Sequence, residues 1–136
     1  MNSITLEEKI KKEMTVNYDD ALEKNFEMAL KFIRITKKGY IDVLNKDKLS
    51  GKDSIMAYLI GKIYAQAARY SETDCVKNKE LMDELGIKEG SLLPWLKSLR
   101  DKGLIKKEKI DGLVHHRIMV NQIEKTLKNL REKLNN

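Results

Sequence analysis

The chain has 136 residues, 41% hydrophobic and 35% charged, with 27 basic against 21 acidic side chains and a formal net charge of +6. That composition suits one folded, soluble domain with a real core, or a small domain with an appendage. It excludes a membrane-spanning segment, since no apolar run approaches the roughly 20 residues a bilayer requires. Met1 to Met14 carries acidic residues and no apolar stretch followed by a cleavage site, so no signal peptide is expected and the location reads as cytoplasmic. The single cysteine, Cys75, excludes an intrachain disulfide and a zinc site of the usual multi-thiolate kind; it reads as a small half-buried thiol.

In chain order, Thr5 and Glu8 have capping-box spacing, and Leu6, Ile10 and Met14 fall one helical turn apart, predicting a short amphipathic helix that breaks at Val16 and Asn17. A second helix starts near Asn17 or Asp19, with Leu22, Phe26, Ala29, Leu30 and Ile33 on one apolar side. Asp19 and Asp20 suit the partial positive charge of its first turn. From Lys31 to Leu44 the period changes to alternation around Lys37-Lys38-Gly39. This predicts a hairpin with a three-residue connection, or else the preceding helix continues to Thr36. Lys37 and Lys38 read as solvated turn residues.

Ser50 to about Tyr70 is predicted as the longest helix, capped by Ser50 and apolar almost all round, so it should be buried on more than one side. Gly61 within it costs about 1 kcal/mol of helix propensity against alanine and points to close approach by another element. Cys75-Val76-Lys77 forms a short strand. Asn78 is placed as the cap of the next helix, with Leu81, Met82 and Leu85 on one face and Gly86 ending it. Ser91 is placed as the cap of the helix after that, with Pro94 in the first turn and Leu92, Leu96 and Leu99 as the buried stripe, ending at Gly103. Leu104 to Ile110 and Leu113 to Val120 flank Asp111-Gly112, which suits a two-residue type I′ turn. Asn121 is placed as the cap of a last helix with Ile123, Leu127, Leu130 and Leu134 in a narrow stripe. That stripe is either half of a coiled-coil dimer seam or the face that packs on the first helices.

The layout helix, turn, helix, two-stranded hairpin is that of a winged helix-turn-helix. The predicted fold is mainly α with a small antiparallel β wing: an N-terminal helical and hairpin appendage (1–48), a winged helix-turn-helix (49–120) and a C-terminal helix (121–136). Charge separates along it. Residues 1–48 hold 10 basic and 9 acidic side chains, 49–85 hold 5 and 6, and 86–136 hold 12 and 6, so all the excess positive charge lies from Gly86 onward. This is the electrostatic footprint of phosphate binding.

Leu85-Gly86-Ile87, Ser91-Leu92, Leu96, Leu99 and Gly103-Leu104-Ile105 stand at the framework offsets of the MarR-like winged-helix transcription regulators, which this chain resembles from Ile55 to Val120. The resemblance implies regulation by binding double-stranded DNA, and a homodimer formed through helices outside the winged core. In helix-turn-helix proteins the second helix enters the major groove by its N-terminal residues. Here these are Lys88, Gly90, Ser91, Leu93, Pro94, Lys97 and Ser98, while Lys106, Lys107, Lys109, His115, His116 and Arg117 of the wing reach backbone or minor groove. Family members commonly carry polar or arginine residues where this chain has Leu93-Pro94. Apolar side chains contact thymine methyls but make no bidentate hydrogen bonds, so base reading is either weak or supplied by the wing and by DNA shape.

Two other readings stand beside this one: a winged-helix protein-interaction module that docks a partner through Leu93, Pro94 and Trp95, and a plasmid or viral replication initiator. Trp95 is either part of that patch or core. His115 and His116 are adjacent on a strand and point to opposite faces, so no metal site is expected from them. No phosphate-binding glycine loop, Ser-His-Asp set or carboxylate pair points to an enzyme or a cofactor.

Overall fold

The computed structural model describes residues 3–15 and 18–135. The expected helix break at Val16 and Asn17 lies outside them. The chain is of mixed α and β structure, with helices around two small antiparallel sheets. Helix α1 (Leu6–Lys9) runs into a π-helical turn over Ile10–Met14. Its capping box is formed: Glu8 N donates to Thr5 Oγ1 at 3.1 Å, and Thr5 N to Glu8 Oε2 at 3.3 Å. Its apolar stripe is uncovered, with Leu6 73%, Ile10 41% and Met14 76% exposed.

Helices α2 (Tyr18–Lys24) and α3 (Phe26–Ala29) are separated at buried Asn25, whose Nδ2 donates to Ala21 O at 2.8 Å and so competes with the backbone for that carbonyl. The single apolar side expected here is therefore divided. Leu22 and Ala29 are buried, whereas Phe26 and Leu30 are exposed. The hairpin follows as strands β1 (Ile33–Ile35) and β2 (Ile41–Val43), with Ile33 opposite Val43 and Ile35 opposite Ile41. Gly39 N donates to Thr36 O and Thr36 N to Tyr40 O, both at 2.9 Å, with Gly39 at φ +88. This is the three-residue connection closed by a left-handed glycine, and a helix reaching Thr36 is ruled out.

Helix α4 (Gly51–Ala67) carries the capping box of Ser50 and Asp53, and buries an unbroken run from Ser54 to Gly61 together with Ile63 and Ala65. Strand β3 (Val76–Lys77) leads directly into α5 (Asn78–Leu85), which is followed by α6 (Glu89–Asp101), β4 (Ile105–Ile110) and β5 (Leu113–Ile118). The second sheet has the order β3-β5-β4. Its tip is the expected turn, with Asp111 at φ 51 and Gly112 at φ 79. After a 3-10 turn (Val120–Gln122), α7 (Ile123–Leu134) closes the chain. The β1–β2 sheet lies on one side of α4, and α6 and α7 lie on others. Residues from all three predicted segments, from Leu22 through Leu59 to Leu130, share one core.

Three helix starts differ from expectation. Lys77, not Asn78, is the N-cap of α5, and no side chain caps it, because Asn78 Oδ1 is engaged 2.5 Å from His116 Nε2. Helix α6 begins two residues ahead of Ser91, with Lys88 as N-cap; Ser91 N and Leu92 N both donate to Lys88 O. Pro94 thus lies inside the helix as its sixth residue, not in the first turn, and Gly90 O loses its helical donor. Asn121 does not cap α7, since Gln122 N turns back to Met119 O at 2.8 Å and the helix starts one residue later. The α7 stripe packs within its own chain: Ile123, Leu127 and Leu130 are at most 1% exposed, against α3 and α4.

Gly61 is where the first sheet meets α4. A Cβ there would lie 2.6 Å from Ile41 Cγ2 and 3.2 Å from Ile33 Cγ2. Gly61→Ala gains about 1 kcal/mol of helix propensity but overpacks this contact, which costs about 1 to 3 kcal/mol. The expected outcome is a lowered urea midpoint. A raised midpoint would show that the sheet yields without cost.

Candidate nucleic-acid interface

Gly86, left-handed at φ 66, ends α5, and Ile87 N returns to Met82 O at 3.2 Å, so α6 leaves at an angle across it. Leu92, Leu96 and Leu99 are buried, which fixes how α6 lies. Glu80 on α5 accepts from Tyr58 Oη at 2.6 Å and from Lys62 Nζ at 2.9 Å, tying α5 to α4. The outer face of α6 is left to Gly90, Leu93, Pro94 and Lys97, all exposed, with Lys88 at its start. Lys97 pairs with Asp101 at 2.9 Å, one turn on and largely solvated, a contact worth little and easily given up. Ser91 is half-buried in the first turn.

The two remaining predicted α6 residues look elsewhere. Ser98 Oγ accepts from Lys52 Nζ at 3.3 Å, on the α4 side of the helix. Trp95, half-buried, lies over Gly51 so closely that a Cβ there would collide with its ring. The expected Leu93-Pro94-Trp95 patch is therefore not continuous. Leu93 is 45% exposed on one flank of α6, while the indole is packed on the other.

Strand alternation divides the predicted hairpin residues. A cleft of about 540 Å³ separates α6 from the hairpin, and Lys97, Arg100, Lys107 and Val114 line it with Leu93 and Pro94. Lys109 stands opposite Val114 in the register and two residues from Lys107, so it shares that face. Lys106, Glu108, His115 and Arg117 occupy the reverse face. Lys106 lies 4.0 Å from Glu108, and Arg117 reaches Glu108 at 3.1 Å, Asp74 at 3.8 Å and Cys75 Sγ at 3.0 Å. Burial opposes the Arg117 charge, but Cys75, Asp74 and Glu108 more than offset it and raise the pKa further. Its charge is matched inside the protein.

His116 is a correction to the predicted DNA contacts. It is 2% exposed, bonded to Asn78 and facing the floor of the cleft, so it joins β5 to α5 and does not reach outward. Burial pushes its pKa down to about 4, helped by the Arg100, Lys107 and His115 charges. Arg100 is a cleft residue that the helix-turn-helix pattern does not single out, because that pattern points only to the front of α6. Its spacing carries the signal: it falls three residues after Lys97 and seven after Leu93, on one helical stripe. Among the described residues no three His, Cys, Asp or Glu side chains gather where they could hold a metal, and no helix is long and apolar enough to cross a membrane. No protein-family model matches the chain, and no curated protein and no solved structure is significantly similar to it.

The His116 environment sets a pH dependence. The unfolded chain takes up this proton near pH 6.5 and the folded chain only near 4. The stability is whole above 6.5 and is lost as pH falls from 6.5 to 4, by up to about 3 kcal/mol. Urea midpoints should fall across that window in the native protein and fall less steeply in His116→Gln. Equal slopes for the two would refute a depressed histidine.

Proposed function

We propose that the protein is a winged helix-turn-helix regulator of transcription that binds double-stranded DNA, with α6 in the major groove and the β4–β5 hairpin as wing. The observation that carries this reading is the cleft in which Lys97, Arg100 and Lys107 converge between an exposed helix face and a hairpin, in the part of the chain that carries the excess positive charge. The order helix, strand, helix, helix, hairpin, with a β3-β5-β4 sheet, supports it, as does the resemblance of Leu85 to Ile105 to MarR-like regulators. The residues assigned to DNA are Lys88, Gly90, Leu93, Pro94, Lys97, Arg100, Lys107 and Lys109. Leu93 and Pro94 offer methyl contacts only, so affinity comes mainly from phosphates and depends strongly on salt. A protein-docking role for Leu93, Pro94 and Trp95 together loses support from the packed indole.

Gel-shift titration should detect duplex binding at low salt, and its absence would sink the reading. Lys107→Ala with Lys109→Ala should weaken binding to all sequences and reduce the salt slope by about 0.9 for each phosphate no longer neutralised. Lys106→Ala, on the reverse face, should leave both nearly unchanged. If Lys106→Ala is as damaging as the pair, the assignment of faces is wrong.

The homodimer in this proposal draws on the N-terminal region, because the α7 stripe is already buried. Leu6, Ile10 and Met14 on α1 and its π-helical turn, with Phe26 and Leu30, are apolar side chains left uncovered there. Sedimentation equilibrium should show a dimer that removal of residues 1–15 converts to a folded monomer. A monomeric full chain, or a truncated chain that remains dimeric, would overturn this assignment.

A further inference from the structure

The four residues of α1 and the five of its π-helical turn form an arm in which no residue is buried, and every residue from 3 to 15 is exposed. Helices shorter than about 12 residues are marginal in water unless an apolar face is packed. The stripe of Leu6, Ile10 and Met14 is such a face, and its own chain leaves it uncovered. The same chain carries a surface of matching form. Two apolar hollows, about 150 and 380 Å³, adjoin along α2 and α3 and share Phe26 and Tyr64. Buried Leu22 lines one, and buried Ala29 and Ile33 line the other. Tyr64 Oη donates to Leu22 O at 2.6 Å, and its ring meets Phe26 edge-on with centroids 6.4 Å apart, so the shared wall is held in place.

Charge on the arm and the groove is complementary. Glu23 and Glu27 border the larger hollow one helical turn apart, where like charges repel, and neither has an ion-pair partner among the described residues. Arg34 borders the smaller hollow, and its Nη1 donates only to backbone, to Leu30 O and, at 2.8 Å, to Ile33 O. On the arm, Lys9 stands beside Ile10 and Glu13 beside Met14; among the described residues the arm's ion pair is Lys11 with Glu7, at 2.8 Å, which leaves Lys9 and Glu13 unpaired. We infer that the arm of one copy lies in the Phe26–Tyr64 groove of a second copy, whose own arm returns the contact. Lys9 meets Glu23 and Glu27, and Glu13 meets Arg34, which sets the direction: Leu6 at the Ala67 end of the groove and Met14 at the Leu30 end. The stripe covers about two helical turns, the span of Glu23 to Leu30. Arms paired with each other would hide their stripes and leave Phe26, Leu30 and the two glutamates uncovered, whereas exchange covers both surfaces. Exchange also counts each arm and each groove twice, which so short an arm needs in order to approach the roughly 1,200 Å² of a specific interface. The inference rests on the homodimer of the proposed function and names what its copies exchange; it requires no DNA.

The test is cross-linking with a short bismaleimide between full chains that carry one substitution each, Met14→Cys or Leu30→Cys, with the native chain, whose Cys75 is 4% exposed, as control. Mixed chains should give a cross-linked dimer of the two kinds, and each kind alone should stay monomeric on a denaturing gel. A dimer from Met14→Cys alone would place arm against arm; it would overturn the exchange and leave the homodimer standing. A link within single chains carrying both substitutions would place the arm on its own groove and overturn it equally. A chain that sediments as a monomer would defeat the homodimer and the exchange together, leaving duplex binding to be judged by gel shift. Glu23→Lys with Glu27→Lys should weaken the dimer roughly tenfold, since each exposed ion pair is worth about twofold to fivefold. Adding Lys9→Glu should recover part of that loss. Both glutamates are exposed, so the urea midpoint should hold. No recovery with Lys9→Glu would overturn the pairing and with it the direction of the arm.

Discussion

Helix α4 can be enclosed on every side only because two of its residues lack side chains. Gly61 lets Ile33 and Ile41 of the first sheet reach the helix backbone, and Gly51 lets the Trp95 ring lie against the first turn. An amphipathic helix needs one partner, whereas this one, apolar all round, needs several at once. The N-terminal sheet, β5, α5, α6 and α7 are the partners it has. The orientation of α6 therefore follows from the α4 surface: Leu92, Leu96 and Leu99 go inward, Trp95 locks one flank, and Leu93, Pro94 and Lys97 are left outside. The outer face is what remains after α4 has been covered.

Features governed by neighbours in sequence are legible from the chain alone. The Ser50 cap, the Thr5–Glu8 box, the Gly39 connection and the Asp111-Gly112 turn each depend on a few adjacent residues, and each is formed. The features that depart from expectation are those decided across the fold. Asn78 looks like a cap by type and position, yet His116, far along the chain, takes its oxygen. Ser91 is a good cap by residue type, while the backbone carbonyl of Lys88 has already opened the helix ahead of it. Phe26 has helical spacing with Leu22, but Asn25 breaks the register between them.

The same division holds within the candidate site. Alternation on β4 and β5 is visible in the sequence, but which face meets α6 depends on the β3-β5-β4 order and on Asp74, Cys75 and Glu108. Hence Arg117 and Lys107, equal as positive charges in a composition, differ in what they can do. One is neutralised by its own protein, while the other faces the cleft. Net charge locates the region, and pairing decides which charges remain for a ligand. That is also why Arg100, half-buried on the flank of α6, belongs with the exposed lysines.

Pro94 bears on what the outer face of α6 could recognise. As the sixth helical residue it removes the bond to Gly90 O, and Gly90, without a side chain, leaves that carbonyl bare at the surface. The front of α6 thus presents a backbone acceptor, the Leu93 side chain and the proline ring, and it lacks the forked donors that distinguish one base pair from another. If α6 lies in a major groove as proposed, these groups can select against cytosine- and guanine-rich steps through thymine methyls and shape. Binding strength must then come from the flanks. Cations on both sides of an apolar ridge favour a ligand whose charge is at its edges and whose middle is uncharged, and a groove between two phosphate strands has that distribution.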